Sequence, residues 1–118
     1  MSKIDSFTAL AEAARDYGKT AHRAAATFLC HDVKSHNEWL QVQQRALHGL
    51  AWIATTVEAV VRGAEWGARL AEEGKLARLD ELVLQVGLAE YFAQLASGIP
   101  MGQNEIFRPH ELGVQEAA

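Results

Sequence analysis

The 118-residue chain has one cysteine, Cys30, and only two prolines. A single cysteine excludes an internal disulfide and a zinc site with several thiolate ligands, and it is compatible with a reducing compartment. Two prolines leave long segments in which nothing interrupts a helix. Because 49% of the residues are hydrophobic and 22% are charged, the composition predicts one globular domain.

Basic residues are fewer than acidic ones, with 11 lysines and arginines against 15 aspartates and glutamates and a net charge of -4. This charge balance repels phosphate backbones and anionic lipids at long range. The basic side chains are also scattered singly, whereas a nucleic-acid footprint needs a clustered stripe. We therefore expect no nucleic-acid partner.

The sequence also lacks a long hydrophobic run. The uncharged stretch from Gly49 to Val57 is far shorter than the roughly 20 residues that span a bilayer. Near the start, Lys3 and Asp5 are followed by further charges rather than by the apolar run of a secretory signal. We therefore expect a cytoplasmic protein without a membrane partner.

Apolar residues recur at intervals of three and four along most of the chain, which predicts an all-α fold. The first helix is predicted over about 3–29, after a Ser2-x-x-Asp5 capping box. A second capping-box pattern precedes a helix over about 36–73, which stops at Gly74. A third helix over about 76–97 ends before Gly98 and Pro100.

Short connections between these segments predict an antiparallel three-helix bundle over 1–98 with a long central helix. The remainder, 99–118, combines turn formers with isolated apolar residues. We therefore expect it to be an extended C-terminal tail or linker.

The third predicted helix carries two apolar stripes on different sides. One stripe comprises Leu79, Leu82, Val86, Ala89, Ala93 and Ala96, and the other comprises Leu84, Leu88, Tyr91 and Leu95. Two apolar faces on one helix need two packing partners, since large exposed apolar patches are uncommon on monomers. We predict association, most simply as a homodimer, through these interface residues: Trp39, Trp52, Val60, Leu84, Leu88, Tyr91 and Leu95.

The sequence shows no constellation of catalytic or metal-binding residues. His31 and His36 are five residues apart, which does not place two ligands on one helix face. Adjacent side chains on a helix point apart, so Cys30 beside His31 does not indicate an activated thiol. Phosphate-binding loops, nucleophile elbows and the Glu-x-x-His motif of di-iron bundles are missing. We therefore predict no catalytic residue and no metal site.

Three stretches together resemble a known family: Leu50 to Ala59, Gly87 to Gln94 and Gly98 to Ile106. Over about residues 40–112 the chain is similar to the helical N-terminal extension, or a small subunit, of certain bacterial acyl-CoA dehydrogenase-like flavoproteins. The resemblance implies FAD, an acyl-CoA thioester substrate and α,β-dehydrogenation. It places the flavin site and the carboxylate base in the part that follows the extension. The chain stops at Ala118, so no catalytic residue carries over and FAD is implied only for a partner or parent enzyme.

The favoured interpretation is a non-catalytic helical association module that dimerises, docks on an acyl-CoA dehydrogenase-like flavoenzyme, or does both. One alternative is a fragment of an FAD-dependent acyl-CoA dehydrogenase. Another is a ligand- or metal-binding helical bundle that forms across a dimer.

Overall fold

The computed structural model describes residues 2–29 and 36–114, and it confirms the all-α bundle of three helices. The helices are α1 (Lys3–Leu29), α2 (His36–Glu72) and α3 (Arg78–Ser97). They are followed by the short strands β1 (Ile99–Gly102) and β2 (Glu105–Phe107), and by a 3-10 helix (Pro109–Leu112). The helix boundaries lie within two residues of the predicted ones.

Local capping interactions account for these boundaries. The Asp5 backbone N–H donates to Ser2 Oγ at 3.1 Å, and the Ser2 N–H donates to Asp5 Oδ2 at 3.2 Å, which confirms the predicted capping box of α1. Gly74 has φ +67°, the left-handed conformation that commonly follows a helix end. Asp80 accepts the Ala77 N–H at 3.2 Å at the start of α3.

Gly67 of α2 marks the place where all three helices meet closely. A Cβ atom at this position would lie 2.8 Å from Leu84 Cδ1 of α3 and 2.9 Å from Phe7 Cζ of α1. Further along α2, towards its N-terminus, Val57 contacts Gly18 of α1. Sequence positions on α1 therefore rise as those on α2 fall, so these two helices are antiparallel.

The α1–α2 contact is built mainly from small side chains. Ala11, Ala14, Ala21 and Ala25 are all buried on α1, and they allow its backbone to approach α2 closely. On α2 they face a buried stripe that includes Val60 and Ala64. This narrow core explains why a helix with few large apolar residues still packs along most of its length.

The C-terminal segment differs from the predicted extended tail. Strands β1 and β2 pair antiparallel, with Ile99 opposite Phe107 and Pro100 opposite Ile106. Phe107 and Leu112 are at most 1% exposed, so the hairpin and the 3-10 helix complete the core of the bundle. The apolar residues that looked isolated in the sequence are anchors for this packing.

Within the described residues, none of the helices combines the length and apolar character that a membrane crossing requires.

Candidate association surfaces

Most of the predicted interface residues lie inside the single chain. Val60 is fully buried, and Leu84, Leu88 and Leu95 are at most 8% exposed. These four side chains pack in the core, so they are not available to a partner, which corrects the sequence-based choice.

The remaining predicted interface residues fall into two groups. Trp52 is 37% exposed and Tyr91 is 41% exposed, so these two rings are at the surface. The side chain of Trp39 lies outside the described residues. The interface prediction itself stays a prediction, because the structure contains a single chain.

The apolar stripe of α3 that includes Leu84 and Leu88 packs against α2 beside Gly63 and Gly67. Leu84 lies against Gly67, and Leu84 and Leu88 both lie within 4 Å of where a Cβ of Gly63 would be. Because Gly67 has no side chain, Leu84 can approach α2 at this position, whereas the contacts at Gly63 are ordinary van der Waals contacts. The sequence contained this Gly-x-x-x-Gly spacing, but it did not say which side of α3 would pack against it.

The opposite side of α3 faces away from the bundle and is apolar. Leu79 and Val86 are each 71% exposed, Val83 is 60% exposed and Leu82 is 40% exposed. The prediction that α3 has two apolar faces is thus confirmed. The face that points outward, however, is the stripe with Leu79, Leu82 and Val86, which the predicted interface does not include. We call this stripe the outer stripe, and its exposed members are Leu79, Leu82, Val86, Ala89, Ala93 and Ala96.

A second apolar surface is a groove between α1, the end of α3 and the 3-10 helix, which we call the α1–α3 groove. It is an open depression of about 1070 Å³. Ala13, Tyr17 and Phe92 contribute to its apolar lining, and Asp16 and Arg108 contribute charged groups. The groove therefore combines an apolar surface with opposite charges.

Hydrogen bonds hold the walls of this groove in place. The Tyr17 hydroxyl donates to the carbonyl oxygen of Leu95 at 2.7 Å, which joins α1 to α3. Burial raises the pKa of Tyr17 above its ordinary value, so the hydroxyl keeps its proton at neutral pH. Arg108 Nη1 donates to the carbonyl oxygen of Ser97 at 2.9 Å. The walls are therefore fixed within the single chain.

Arg45 of α2 fixes the hairpin and the 3-10 helix. Its Nε donates to Glu111 Oε1 at 2.9 Å, and its Nη2 donates to the carbonyl oxygen of Ile106 at 3.1 Å. The guanidinium carbon also lies 5.8 Å from the ring centroid of Phe107. The hydrogen bond from Arg45 is the main cause that lowers the pKa of Glu111. Sequence reasoning missed this cluster, since no motif links position 45 to position 111.

His48 makes a local contact within α2. His48 Nε2 accepts a hydrogen bond from Trp52 Nε1 at 3.1 Å. No group of three or more histidine, cysteine, aspartate or glutamate side chains in residues 2–29 and 36–114 is placed to hold a metal ion. Cys30 and His31 lie outside these ranges, so the predicted absence of a metal site and of catalytic residues stays a prediction.

Comparison with known proteins connects the chain with a dehydrogenase. No protein-family model matches the sequence. The chain is 36% identical over 97 residues to the (2S)-methylsuccinyl-CoA dehydrogenase of Cereibacter sphaeroides. The matched stretch covers 82% of this chain but 18% of that enzyme. The chain is therefore related to a segment of an acyl-CoA dehydrogenase and spans less than a fifth of the relative's length.

Proposed function

We propose that the chain is a non-catalytic helical module of an acyl-CoA dehydrogenase-type flavoenzyme. It is either a segment of a longer polypeptide or a separate small subunit. The observation that carries the proposal is the similarity of most of this chain to a small part of such an enzyme. In this assignment the enzyme's remaining part binds FAD and the acyl-CoA thioester, and this chain supplies a surface.

The chemistry of the described side chains supports a role in association. Catalytic acids and bases usually sit in a cleft with pKa values tuned to their task. The carboxylate of Glu111, whose pKa is lowered, instead tethers the 3-10 helix to Arg45. Arg62 pairs with Glu58 and Glu65 on the exposed face of α2. These charged side chains therefore form ion pairs that stabilise the bundle or keep its outer face hydrated.

The α1–α3 groove is the surface that we assign to the flavoenzyme. The groove is open and has a volume of about 1070 Å³, which leaves room for a segment of a partner protein. A partner helix in this position would turn the three-helix bundle into a four-helix arrangement. Asp16 and Arg108 favour a partner helix with a basic residue on one flank and an acidic residue on the other.

Capture of the tagged chain from the host that makes it tests this proposal. We expect a larger protein to co-purify with the chain, to show flavin absorbance and to be identified by mass spectrometry as an acyl-CoA dehydrogenase. If the two are parts of one polypeptide, the tag recovers that longer flavoprotein directly.

A matched pair of variants tests the groove. Ala13 lines the groove and is exposed, so Ala13→Arg should fill it and abolish capture of the flavoprotein. Ala59 is exposed on α2, and Ala59→Arg adds the same side chain without losing capture. Circular dichroism checks that both variants keep the helical fold. Capture without a flavoprotein would contradict the proposal in either case. When the flavoprotein is a separate polypeptide, equal capture by both variants would contradict the assignment of the groove.

A further inference from the structure

The outer stripe of α3 has the spacing of a coiled-coil seam. Its six members follow one another at intervals of three, four, three, four and three residues, which is the heptad pattern of positions a and d. All six side chains are exposed in the single chain. The core of the bundle uses the other side of α3, through Leu84, Leu88 and Leu95. The seam is therefore a surface that the bundle leaves uncovered, and of its six members only Ala96 also lines the α1–α3 groove.

Side-chain size changes along this seam. Its N-terminal half carries Leu79, Leu82 and Val86, whereas its C-terminal half carries only alanines. Two parallel copies of α3 would place large residues against large ones at one end and alanine against alanine at the other. Such a pair would be crowded at one end and empty at the other, and both defects are unfavourable.

Two antiparallel copies match in every layer. With a two-fold axis between positions 87 and 88, Leu79 faces Ala96 of the second copy, Leu82 faces Ala93 and Val86 faces Ala89. Each layer then contains one large and one small side chain, so the distance between the helices stays constant along the seam. The outer stripe of one copy therefore complements the outer stripe of a second, antiparallel copy.

We propose that the outer stripe binds a second copy of this chain, with the two α3 helices antiparallel about a two-fold axis. A two-fold contact of this kind closes on itself, because each stripe is fully used by the other copy. A seam from one 20-residue helix buries less than the roughly 800 Å² per partner of a standard interface. We therefore expect the dimer to be weak and its population to depend on protein concentration. This inference does not depend on the flavoenzyme.

Sedimentation velocity of the full chain over a range of concentrations tests the dimer. Val86→Glu places a charge in the middle of the seam and should hold the protein monomeric at every concentration. Ala59→Glu adds the same charge at an exposed α2 position and should dimerise like the original protein. Circular dichroism confirms that both variants keep the fold. A chain that stays monomeric throughout, or a Val86→Glu variant that dimerises normally, overturns the inference.

Disulfide trapping tests the orientation, in a Cys30→Ser background so that only introduced thiols react. We expect a Leu82→Cys protein mixed with an Ala93→Cys protein to form the mixed disulfide when oxidised glutathione accepts the electrons. Neither variant alone should cross-link efficiently. Efficient cross-linking of Leu82→Cys with itself would indicate parallel helices and overturn the inference. Positions 82, 86 and 93 do not line the α1–α3 groove, so failure of this proposal and failure of the groove assignment are recognised separately.

Discussion

Phe107 of β2 packs directly against Gly49 of α2. The ring atoms at the far end of Phe107 lie so close to Gly49 that a Cβ atom there would be far inside van der Waals contact. Phe107 is 1% exposed, so the ring is part of the core. The packing of Phe107 on α2 therefore requires a residue without a side chain at position 49.

We expect Gly49→Ala to lower the free energy of unfolding by about 2 kcal/mol, because overpacking outweighs the better helix propensity of alanine. Urea unfolding followed by circular dichroism measures this change. Gly63→Ala is the matched control on the same helix, since its nearest contact would be an ordinary 3.5 Å. Equal loss of stability in the two variants would contradict the role of the Phe107 contact.

Removal of the Tyr17 hydroxyl tests the link between α1 and α3. Tyr17→Phe loses the hydrogen bond to Leu95, so we expect the free energy of unfolding to fall by about 1 kcal/mol. The stability difference measured by urea unfolding at neutral pH checks this value. An unchanged free energy of unfolding would show that the bond contributes nothing.

The same tyrosine gives an alkaline pH dependence. Its pKa is raised in the folded protein above the ordinary value of 10.0, so the folded state holds this proton more tightly than the unfolded state. Its contribution is fully present below pH 10.0 and is lost as the pH rises through the folded-state pKa. Thermal unfolding at increasing pH should therefore show a steeper alkaline decline for the original protein than for Tyr17→Phe.

Glu111 gives the opposite pH dependence. Its pKa is lowered from 4.5, first by the hydrogen bond from Arg45, so its contribution is present above pH 4.5 and is lost as the pH falls through the folded-state pKa. Glu111→Gln should lower the melting temperature at neutral pH and flatten its decline in acid. Glu12→Gln, at an exposed position of α1, makes the same change of charge and is the control.

The sequence was sufficient for the three helices because their signals are local. The capping box at Ser2 and Asp5, the stop at Gly74 and the apolar periodicity all act within a few residues. The two apolar faces of α3 were equally visible in the sequence.

Three features could not be predicted because they depend on contacts between distant segments. The inward face of α3 is seated where Leu84 approaches Gly67 on another helix. The hairpin depends on the contact between Gly49 and Phe107, and the Arg45–Glu111 pair joins α2 to the 3-10 helix. Such pairs leave no periodic or motif signal in a single sequence.

The central claim is that partner molecules cover the apolar surfaces of this chain. The most direct test is whether a cysteine introduced into the outer stripe is protected from labelling. In a Cys30→Ser background, the maleimide labelling rate of Val86→Cys is compared with that of Ala59→Cys in extracts of the host at its own protein concentration. Val86 is 71% exposed in the single chain. We expect Val86→Cys to label much more slowly than Ala59→Cys, and the two rates to become equal in denaturant. Equal rates in the native extract would show that the outer stripe of α3 is uncovered, and would contradict the account.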